Sequence, residues 1–322
     1  MSKIEELAQG VLAGERRSIA RAITIIENDA PEAKRLIAKI YPHTGKAHII
    51  GLTGPGGSGK STLIEKIVKA YRRKGKTVGV VAVDPTSPFT GGAFLGDRIR
   101  MQELSTDEGV FIRSMATRNY PGGIAKATRD AVKILDAAGK DIVIVETVGA
   151  GQSEVEIIKV AETIVVIHAP GLGDDIQAIK AGLMEIADIF VVNKADRENA
   201  EKAVIDIQAM LQLNTKEKKW KPPVLKTVAL TGEGVPQLIE KLEEHRNFLK
   251  KEKAEEKSLL RAETELVEAI KEKAVNSIIE ELKREGKFQE ALQKIMAKEI
   301  DPASAAEELL HSKFRRQNNA KT

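Results

Sequence analysis

The octapeptide Gly54–Ser61 constrains the fold of this chain more than any other feature of its sequence. It reads G-P-G-G-S-G-K-S and matches the pattern G-x-x-x-x-G-K-[ST]. It directly follows the apolar run Ile49–Leu52, and a helical pattern begins at Ser61. A glycine-rich loop between a strand and a helix points many backbone N–H groups inward, beside the positive end of the helix dipole. The sequence therefore predicts a phosphate-binding loop in an α/β domain.

Short apolar runs alternate with longer helical stretches on both sides of this loop. Helical patterns such as Ser61–Arg73 and Gly123–Ala138 separate most of the runs. This alternation favours βαβ units and a doubly wound, mostly parallel sheet, in which ligands bind beyond the carboxyl ends of the strands. The predicted strands are Ile49–Leu52, Val78–Val83, Val110–Ile112, Ile142–Val145, Ile164–Ile167, Ile189–Val192 and Val224–Val228.

The two ends of the chain show helical patterns without strands. Ser2 and Glu5 form a capping-box pattern, and Pro31 fits the first turn of a third N-terminal helix. Near the other end, Gly286 should stop a long amphipathic helix and Asp301-Pro302 should start the next. We predict three parts: a helical extension at 1–46, a P-loop domain at 47–246 and a helical arm at 247–322.

The phosphate loop carries the groups needed for phosphoryl chemistry. Lys60 should reach the β- and γ-phosphates of a nucleotide and act as the catalytic cation, and the Ser61 hydroxyl should bind Mg²⁺. The predicted phosphate-binding residues are Gly54, Pro55, Gly56, Gly57, Ser58, Gly59, Lys60, Ser61 and Thr62.

A second motif, Asn193-Lys194-Ala195-Asp196, is typical of proteins that recognise the guanine base of a nucleotide. It follows the apolar run Ile189–Val192 and matches the N-K-x-D pattern of GTPases. A carboxylate at Asp196 can accept hydrogen bonds from guanine N1–H and the exocyclic amino group, which adenine lacks. The segment Ala229-Leu230-Thr231 follows another predicted strand, where a loop normally packs on the guanine. We therefore expect GTP and GDP as ligands, with Asn193, Lys194, Asp196 and the 229–231 segment as binding residues.

Three carboxylates are candidates for the metal site. Glu146 begins the stretch Glu146-Thr147-Val148-Gly149, which stands where many GTPases carry D-x-x-G. There the carboxylate acts on Mg²⁺ and the amide of Gly149 senses the γ-phosphate. Asp84 and Asp97 flank a glycine-rich segment near the phosphate side. The alternatives are a water-facing strand end for Glu146 and loop caps or turns for the two aspartates.

Composition excludes several other classes of protein. The chain has no cysteine, so disulfides and thiolate metal sites are impossible. Its net charge of +4 is too balanced to suggest nucleic-acid or membrane binding. No apolar run is long enough to span a membrane, and the N-terminal residues are acidic and unlike a signal peptide. We expect a cytoplasmic protein.

Taken together, these motifs resemble the MeaB/ArgK/MMAA GTPases of the SIMIBI class. The E-T-V-G-x-G-Q-S-E stretch is the most family-specific of them. The similarity covers most of the chain, including both helical ends. The residues that carry it are Gly54–Thr62, Val83–Ser87, Gly91-Gly92, Gly96–Arg98, Glu146–Glu154 and Asn193–Asp196.

The resemblance implies a function beyond nucleotide hydrolysis. Members of this family are GTPase chaperones of adenosylcobalamin-dependent acyl-CoA mutases, chiefly methylmalonyl-CoA mutase. They gate cofactor loading and protect the mutase from inactivation. They are homodimers, to which the C-terminal arm contributes. The chain is thus expected to be a homodimer with such a mutase as its partner.

The resemblance also implies roles for particular residues. Asp84, Asp97 and Glu146 would share the Mg²⁺ site with Ser61. The segment Gly171–Lys180, with Asp174 and Lys180, resembles a switch loop that communicates with the mutase.

The stretch after Gly149 carries a further implication about the rate. Ala150 stands where Ras-like proteins place the glutamine that orients the attacking water. No catalytic base is therefore assigned, and hydrolysis is expected to be slow until a partner completes the site.

Three alternative functions stay open at this point. A metallochaperone GTPase would need Cys and His ligands, and the five histidines of this chain show no ligand-like pairing. A protein-targeting GTPase would need a Met-rich or membrane-binding domain, and the six methionines are scattered. A transport-associated kinase of the ArgK type would need a phosphoacceptor site, which no motif suggests.

Overall fold

The computed structural model of the chain divides into two compact units, Met1–Glu252 and Lys253–Thr322. It describes residues 2–28, 30–84, 102–116, 126–147, 157–171, 181–213, 219–251 and 254–319. The boundaries predicted at residues 46 and 246 stay predictions.

The first unit is built on a seven-stranded sheet in the order β3-β2-β4-β1-β5-β6-β7. Every strand pair in it is parallel. All seven predicted strands are present, which confirms the doubly wound α/β class. They are β1 (His48–Thr53), β2 (Val78–Asp84), β3 (Val110–Ala116), β4 (Ile142–Glu146), β5 (Thr163–His168), β6 (Ile189–Asn193) and β7 (Val224–Thr227).

Helices cover both faces of this sheet and form the N-terminal extension. The capping box is confirmed, since Ser2 Oγ accepts the N–H of Glu5 and Glu5 Oε2 accepts the N–H of Ser2. Pro31, which was expected in the first turn of α3, lies in the turn before it. The helices are α1 (Lys3–Leu12), α2 (Arg16–Glu27), α3 (Ala33–Ile40), α4 (Lys60–Arg73), α5 (Gln102–Ser105), α6 (Lys126–Ala137), α7 (Ala181–Ile186), α8 (Ala200–Leu213) and α9 (Val235–Lys251), with 3₁₀ turns at Tyr41–His43 and Ile157–Lys159.

Alternating side chains of each strand enter two separate apolar cores. On β4, Ile142 and Ile144 pack in the core that contains α4 and α9. Val143 and Val145 pack in the opposite core, with α1, α2, α3 and α6. Because successive side chains of a strand point to opposite faces, the last residue of β4, Glu146, faces the same side as α4. The fold thus directs this carboxylate toward the helix that begins at Lys60.

The second unit is helical and consists of α10 (Ala254–Arg284), α11 (Lys287–Met296) and α12 (Pro302–Asn319). Gly286, with φ at 76°, separates α10 from α11, as expected. Asp301 Oδ1 accepts the backbone N–H groups of Ala303 and Ser304, which confirms the predicted start of α12. Over the part of the chain that the structure describes, no helix is both long and apolar enough to cross a membrane.

Candidate nucleotide site

The sheet order brings four of the sequence motifs to one edge. The loop Gly54–Gly59 follows β1 at the centre of the sheet, and Glu146 ends the neighbouring strand β4. Asn193 ends β6, and Ala229 follows β7 by two residues. Because all the strands run parallel, these residues share the carboxyl edge, where ligands of doubly wound folds bind.

Two glycines of the loop are required by close approach as well as by backbone conformation. Gly54 has φ at 143°, and a Cβ there would lie 2.0 Å from the carbonyl oxygen of Ile167. Gly59 has φ at 92°, and a Cβ there would lie 2.3 Å from Nδ2 of Asn193. A side chain at Gly54 would push the loop away from the backbone of β5, and a side chain at Gly59 would displace the Asn193 amide.

Lys60, the predicted catalytic cation, lies against the inside of the loop. Its Nζ donates to the carbonyl oxygens of Gly54 at 2.9 Å and Pro55 at 3.1 Å. The residue is 7% exposed, although lysine is rarely buried without partners. The loop carbonyls therefore hold the ammonium group within reach of a phosphate bound by the loop.

Ser61 and Glu146 meet as the fold leads one to expect. Ser61 Oγ donates to Glu146 Oε1 at 2.8 Å, and both residues are buried. A hydroxyl and a carboxylate are the hard oxygen ligands that Mg²⁺ prefers, so this pair fits the predicted metal site. Among the residues that the structure describes, no group of three or more His, Asp or Glu side chains could hold a metal ion.

Of the other two predicted metal ligands, the structure describes the backbone of Asp84 alone. Asp84 is the last residue of β2, which pairs with β4 so that Ala82 lies opposite Glu146. Its backbone is therefore at the same edge as Glu146, while its side chain lies outside the described residues. Asp97 also lies outside them.

Asn193 ties the base-recognition motif to the phosphate loop. Its Nδ2 donates to the carbonyl oxygen of Ser58 at 2.8 Å. Its Oδ1 accepts from Thr227 Oγ1 at 3.1 Å and from the N–H of Ala229 at 3.0 Å. Lys194 adds a second link, because its Nζ donates to the carbonyl oxygen of Gly57 at 2.7 Å. Two predicted motifs that are far apart in sequence thus form one hydrogen-bonded unit.

The groups expected to contact the guanine are accessible. Asp196 is exposed on the turn after β6, and the N–H of Ala195 holds this turn to the carbonyl oxygen of Thr227 at 3.0 Å. Leu230 is 78% exposed, while Ala229 beside it is buried. Thr231 Oγ1 donates to the carbonyl oxygen of Val228 and so supports the tight turn. An exposed carboxylate and an exposed apolar side chain on neighbouring turns suit the edge and the face of a purine.

Some predicted site residues lie outside the described ranges, and two threonines were not predicted. Gly149, Asp174 and Lys180 belong to the first group. The second group is Thr53 and Thr147, whose hydroxyls are hydrogen-bonded at 2.9 Å at the ends of β1 and β4. A threonine at each strand end was visible in the sequence, but their pairing depends on β4 lying beside β1.

Comparison with known proteins agrees with the motifs. The family model described as methylmalonyl Co-A mutase-associated GTPase MeaB matches residues 19–284. A protein of Pyrococcus horikoshii named as a GTPase is 54% identical over 318 residues, which cover 96% of this chain and 98% of that one. GTPase ArgK of Escherichia coli is 40% identical over 233 residues, 70% of each chain.

A solved structure extends the agreement to nearly the whole fold. The crystal structure of a protein described as LAO/AO transport system kinase has a TM-score of 0.73 and is 26% identical, covering 98% of this chain and 99% of that one. The family match and the identities of the relatives, together with the phosphate loop and the guanine motif, place this chain: it is a P-loop GTPase and belongs to the MeaB family of methylmalonyl-CoA mutase-associated GTPases.

Proposed function

We propose that this GTPase serves an adenosylcobalamin-dependent acyl-CoA mutase as a chaperone, and that it hydrolyses GTP at the carboxyl edge of the sheet. The client proposed first is methylmalonyl-CoA mutase, which the family's description names. The observation that carries the nucleotide site is the bond from Asn193 Nδ2 to the carbonyl oxygen of Ser58, because it joins base recognition to phosphate binding.

In this mechanism the loop N–H groups bind the phosphates and Lys60 stabilises charge that develops on the β- and γ-phosphates. Ser61 and Glu146 would hold Mg²⁺ together with Asp84 and Asp97. When bound, the metal ion neutralises charge on the β- and γ-phosphate oxygens. The amide of Gly149 would contact the γ-phosphate.

The metal assignment is tested by single alanine variants of Glu146, Asp84 and Asp97. Each should raise the Mg²⁺ concentration needed for half-maximal phosphate release, or abolish hydrolysis. Glu263, an exposed carboxylate of the second unit that the proposed metal site does not include, provides the matched control. A carboxylate whose alanine variant keeps the Mg²⁺ dependence of the wild type is not a ligand.

Base selection is tested at Asp196. Asp196→Asn replaces an acceptor with an amide donor facing guanine N–H groups, which should weaken GDP binding by about tenfold or more. The affinities for GDP and ADP are measured side by side in the wild type and the variant. A wild-type protein that binds ADP as tightly as GDP would show that this turn does not read the base.

The chaperone role predicts that the mutase accelerates hydrolysis. The chain offers no glutamine directly after Gly149 to orient water, so turnover of the protein alone should be slow. A partner that binds the competent arrangement of the 171–180 segment more tightly would shift the population and raise the rate. Steady-state phosphate release with and without methylmalonyl-CoA mutase tests this. Asp174→Ala and Lys180→Ala should reduce the acceleration and leave basal turnover nearly unchanged.

A homodimer is the proposed assembly, with residues 247–322 as the contributing arm. Support comes from α10, on which Leu259, Leu266 and Ile270 are each more than half exposed at near-heptad spacing. Sedimentation of the full chain should give a dimer, and Leu266→Glu with Ile270→Glu should give a monomer. A monomeric wild-type protein would show that residues 247–322 do not form a dimer. A cytoplasmic location stays a prediction from the sequence.

A further inference from the structure

Two buried hydroxyls join the strands that lead into the phosphate loop and into the Glu146 segment. Thr53 is the last residue of β1 and directly precedes Gly54. Thr147 directly follows Glu146, the last residue of β4. Thr147 Oγ1 donates to Thr53 Oγ1 at 2.9 Å, and the two residues are 1% and 0% exposed. The N–H of Thr147 also donates to the carbonyl oxygen of Leu52 at 3.1 Å, one residue beyond the last paired position of the two strands.

The hydroxyl pair lies on the face of the sheet opposite the metal-site pair. Glu146 faces α4 and accepts from Ser61. Thr147 bonds Thr53, which faces the other side of the sheet because its neighbour Leu52 packs in the core that contains α4. The Ser61–Glu146 bond uses two groups that are also the proposed metal ligands. The Thr53–Thr147 bond uses neither of them. It can therefore persist while Ser61 and Glu146 exchange partners.

We propose that Thr147 is a positioning residue for GTP hydrolysis: its bond to Thr53 fixes the start of the 147–149 segment relative to the phosphate loop. This rests on the nucleotide site proposed above. Gly149 follows Thr147 by two residues, at most about 7 Å of chain. On this proposal, a shift at Thr147 would therefore displace the amide that would meet the γ-phosphate. Displacements of about 1 Å at a reacting centre can lower rates about a hundredfold.

The single substitutions Thr147→Val and Thr53→Val remove the bond and keep the side-chain shape. Each should lower kcat about tenfold, with KM for GTP and the affinity for GDP within about twofold of wild type, because the loop and guanine contacts are unchanged. Thr147→Ser keeps the hydroxyl and should restore kcat to within about twofold. The proposal would be overturned if the two valine variants kept the kcat of the wild type, or if Thr147→Ser were as slow as Thr147→Val.

The double variant Thr53→Val with Thr147→Val separates an effect on kcat through positioning from an effect on stability through a buried, unpaired hydroxyl. Each single leaves one hydroxyl buried without its partner, whereas the double replaces both hydroxyls with methyl groups and leaves no such group. The double variant should therefore recover Tm relative to the singles while kcat stays about tenfold low. Recovery of kcat together with Tm would mean that the pair acts through stability alone, and the proposal would fall.

Two further variants complete the test. Thr163→Val removes an equally buried hydroxyl at the first residue of β5, where Thr163 Oγ1 bonds His48 and His245 at the opposite edge of the sheet. It should lower Tm and leave kcat within about twofold. Lys60→Ala should abolish hydrolysis. If Lys60→Ala retains hydrolysis, the proposed site and this inference both fall; if it abolishes hydrolysis and the threonine variants match wild type, only the inference falls.

Discussion

Substitution of Asn193 by alanine tests the unit that joins the phosphate loop to the Asn193–Asp196 motif. Asn193 is 1% exposed, and its side chain makes three hydrogen bonds, to Ser58, Thr227 and Ala229. Leaving a buried polar group without its partner costs about 1–3 kcal/mol. The Thr227 hydroxyl can rotate toward another acceptor, whereas the two backbone groups cannot. We therefore expect Asn193→Ala to lower the free energy of unfolding by about 3 kcal/mol.

The single tryptophan of the chain makes this loss easy to measure. Trp220 packs on His245 in the first unit, with ring centroids 4.7 Å apart, so its emission should report the unfolding of that unit. The expected loss corresponds to a fall in Tm of about 6–12 °C for a unit of this size. Urea titration followed by fluorescence gives the free energy directly. Thr227→Val, which removes only one of the three bonds, should cost about 1 kcal/mol.

The same variant should bind GDP more weakly by about tenfold, because nucleotide binding must then order the phosphate loop and the 229–231 turn. Asn247→Ala is the matched control: Asn247 is exposed on α9, and the change should stay within about 0.5 kcal/mol. An Asn193→Ala protein within 1 kcal/mol of wild type, with unchanged GDP affinity, would refute the idea that this amide holds the two motifs together.

Three further outcomes follow from the structure. Gly54→Ala should lower the free energy of unfolding by about 2 kcal/mol or more, because its Cβ would lie 2.0 Å from the carbonyl oxygen of Ile167. Gly56→Ala, whose Cβ would have nothing within 4 Å, should change the free energy of unfolding by less than about 0.5 kcal/mol. Urea titration compares the two variants. Burial lowers the pKa of His48 from its ordinary 6.5 to about 3, so below pH 6.5 the unfolded chain binds a proton that the fold excludes. Stability should be full above pH 6.5 and about 2 kcal/mol lower at pH 5, and His48→Gln should flatten that slope in urea titrations at pH 8 and pH 5. Asp136 accepts three successive backbone N–H groups ahead of β1, so Asp136→Ala should lower the free energy of unfolding by about 2–4 kcal/mol while the kcat for phosphate release stays unchanged.

Strand positions were predictable because each buried parallel strand is a short run of β-branched and aliphatic residues. The run Ile142–Val145 is fully buried on both faces, which is why its composition is so uniform. The ends were less predictable. β3 continues to Ala116, past the apolar residues at its start, because its backbone pairs with β2 along the whole length. β7 ends at Thr227, and Val228 instead forms an isolated antiparallel bridge with Glu233.

The site motifs were predictable because each one is local. The phosphate loop needs only consecutive residues between a strand and a helix. Ser61, the hydroxyl of the proposed metal site, lies in that same stretch. The contacts that join the motifs are not local. Asn193 reaches Ser58 across 135 positions, and no spacing rule connects them. The sequence located each motif at a strand end, while the bonds between the motifs required the fold.

The order of the strands in the sheet cannot be read from the motifs. This order decides which of the segments that follow the strands can form hydrogen bonds with one another. The strands β4, β5 and β6 are all fully buried apolar runs, so one of them could replace another on composition alone. The chain places β4, and not β2, directly beside β1. That insertion puts Glu146 opposite Leu52 and brings Thr147 against Thr53. Had β2 been the neighbour of β1, the residues after Asp84 would adjoin the phosphate loop, and Glu146 would lie one strand further away. The contact between Ser61 and Glu146, and the coupling proposed for Thr147, are therefore properties of the topology that the motifs alone do not contain.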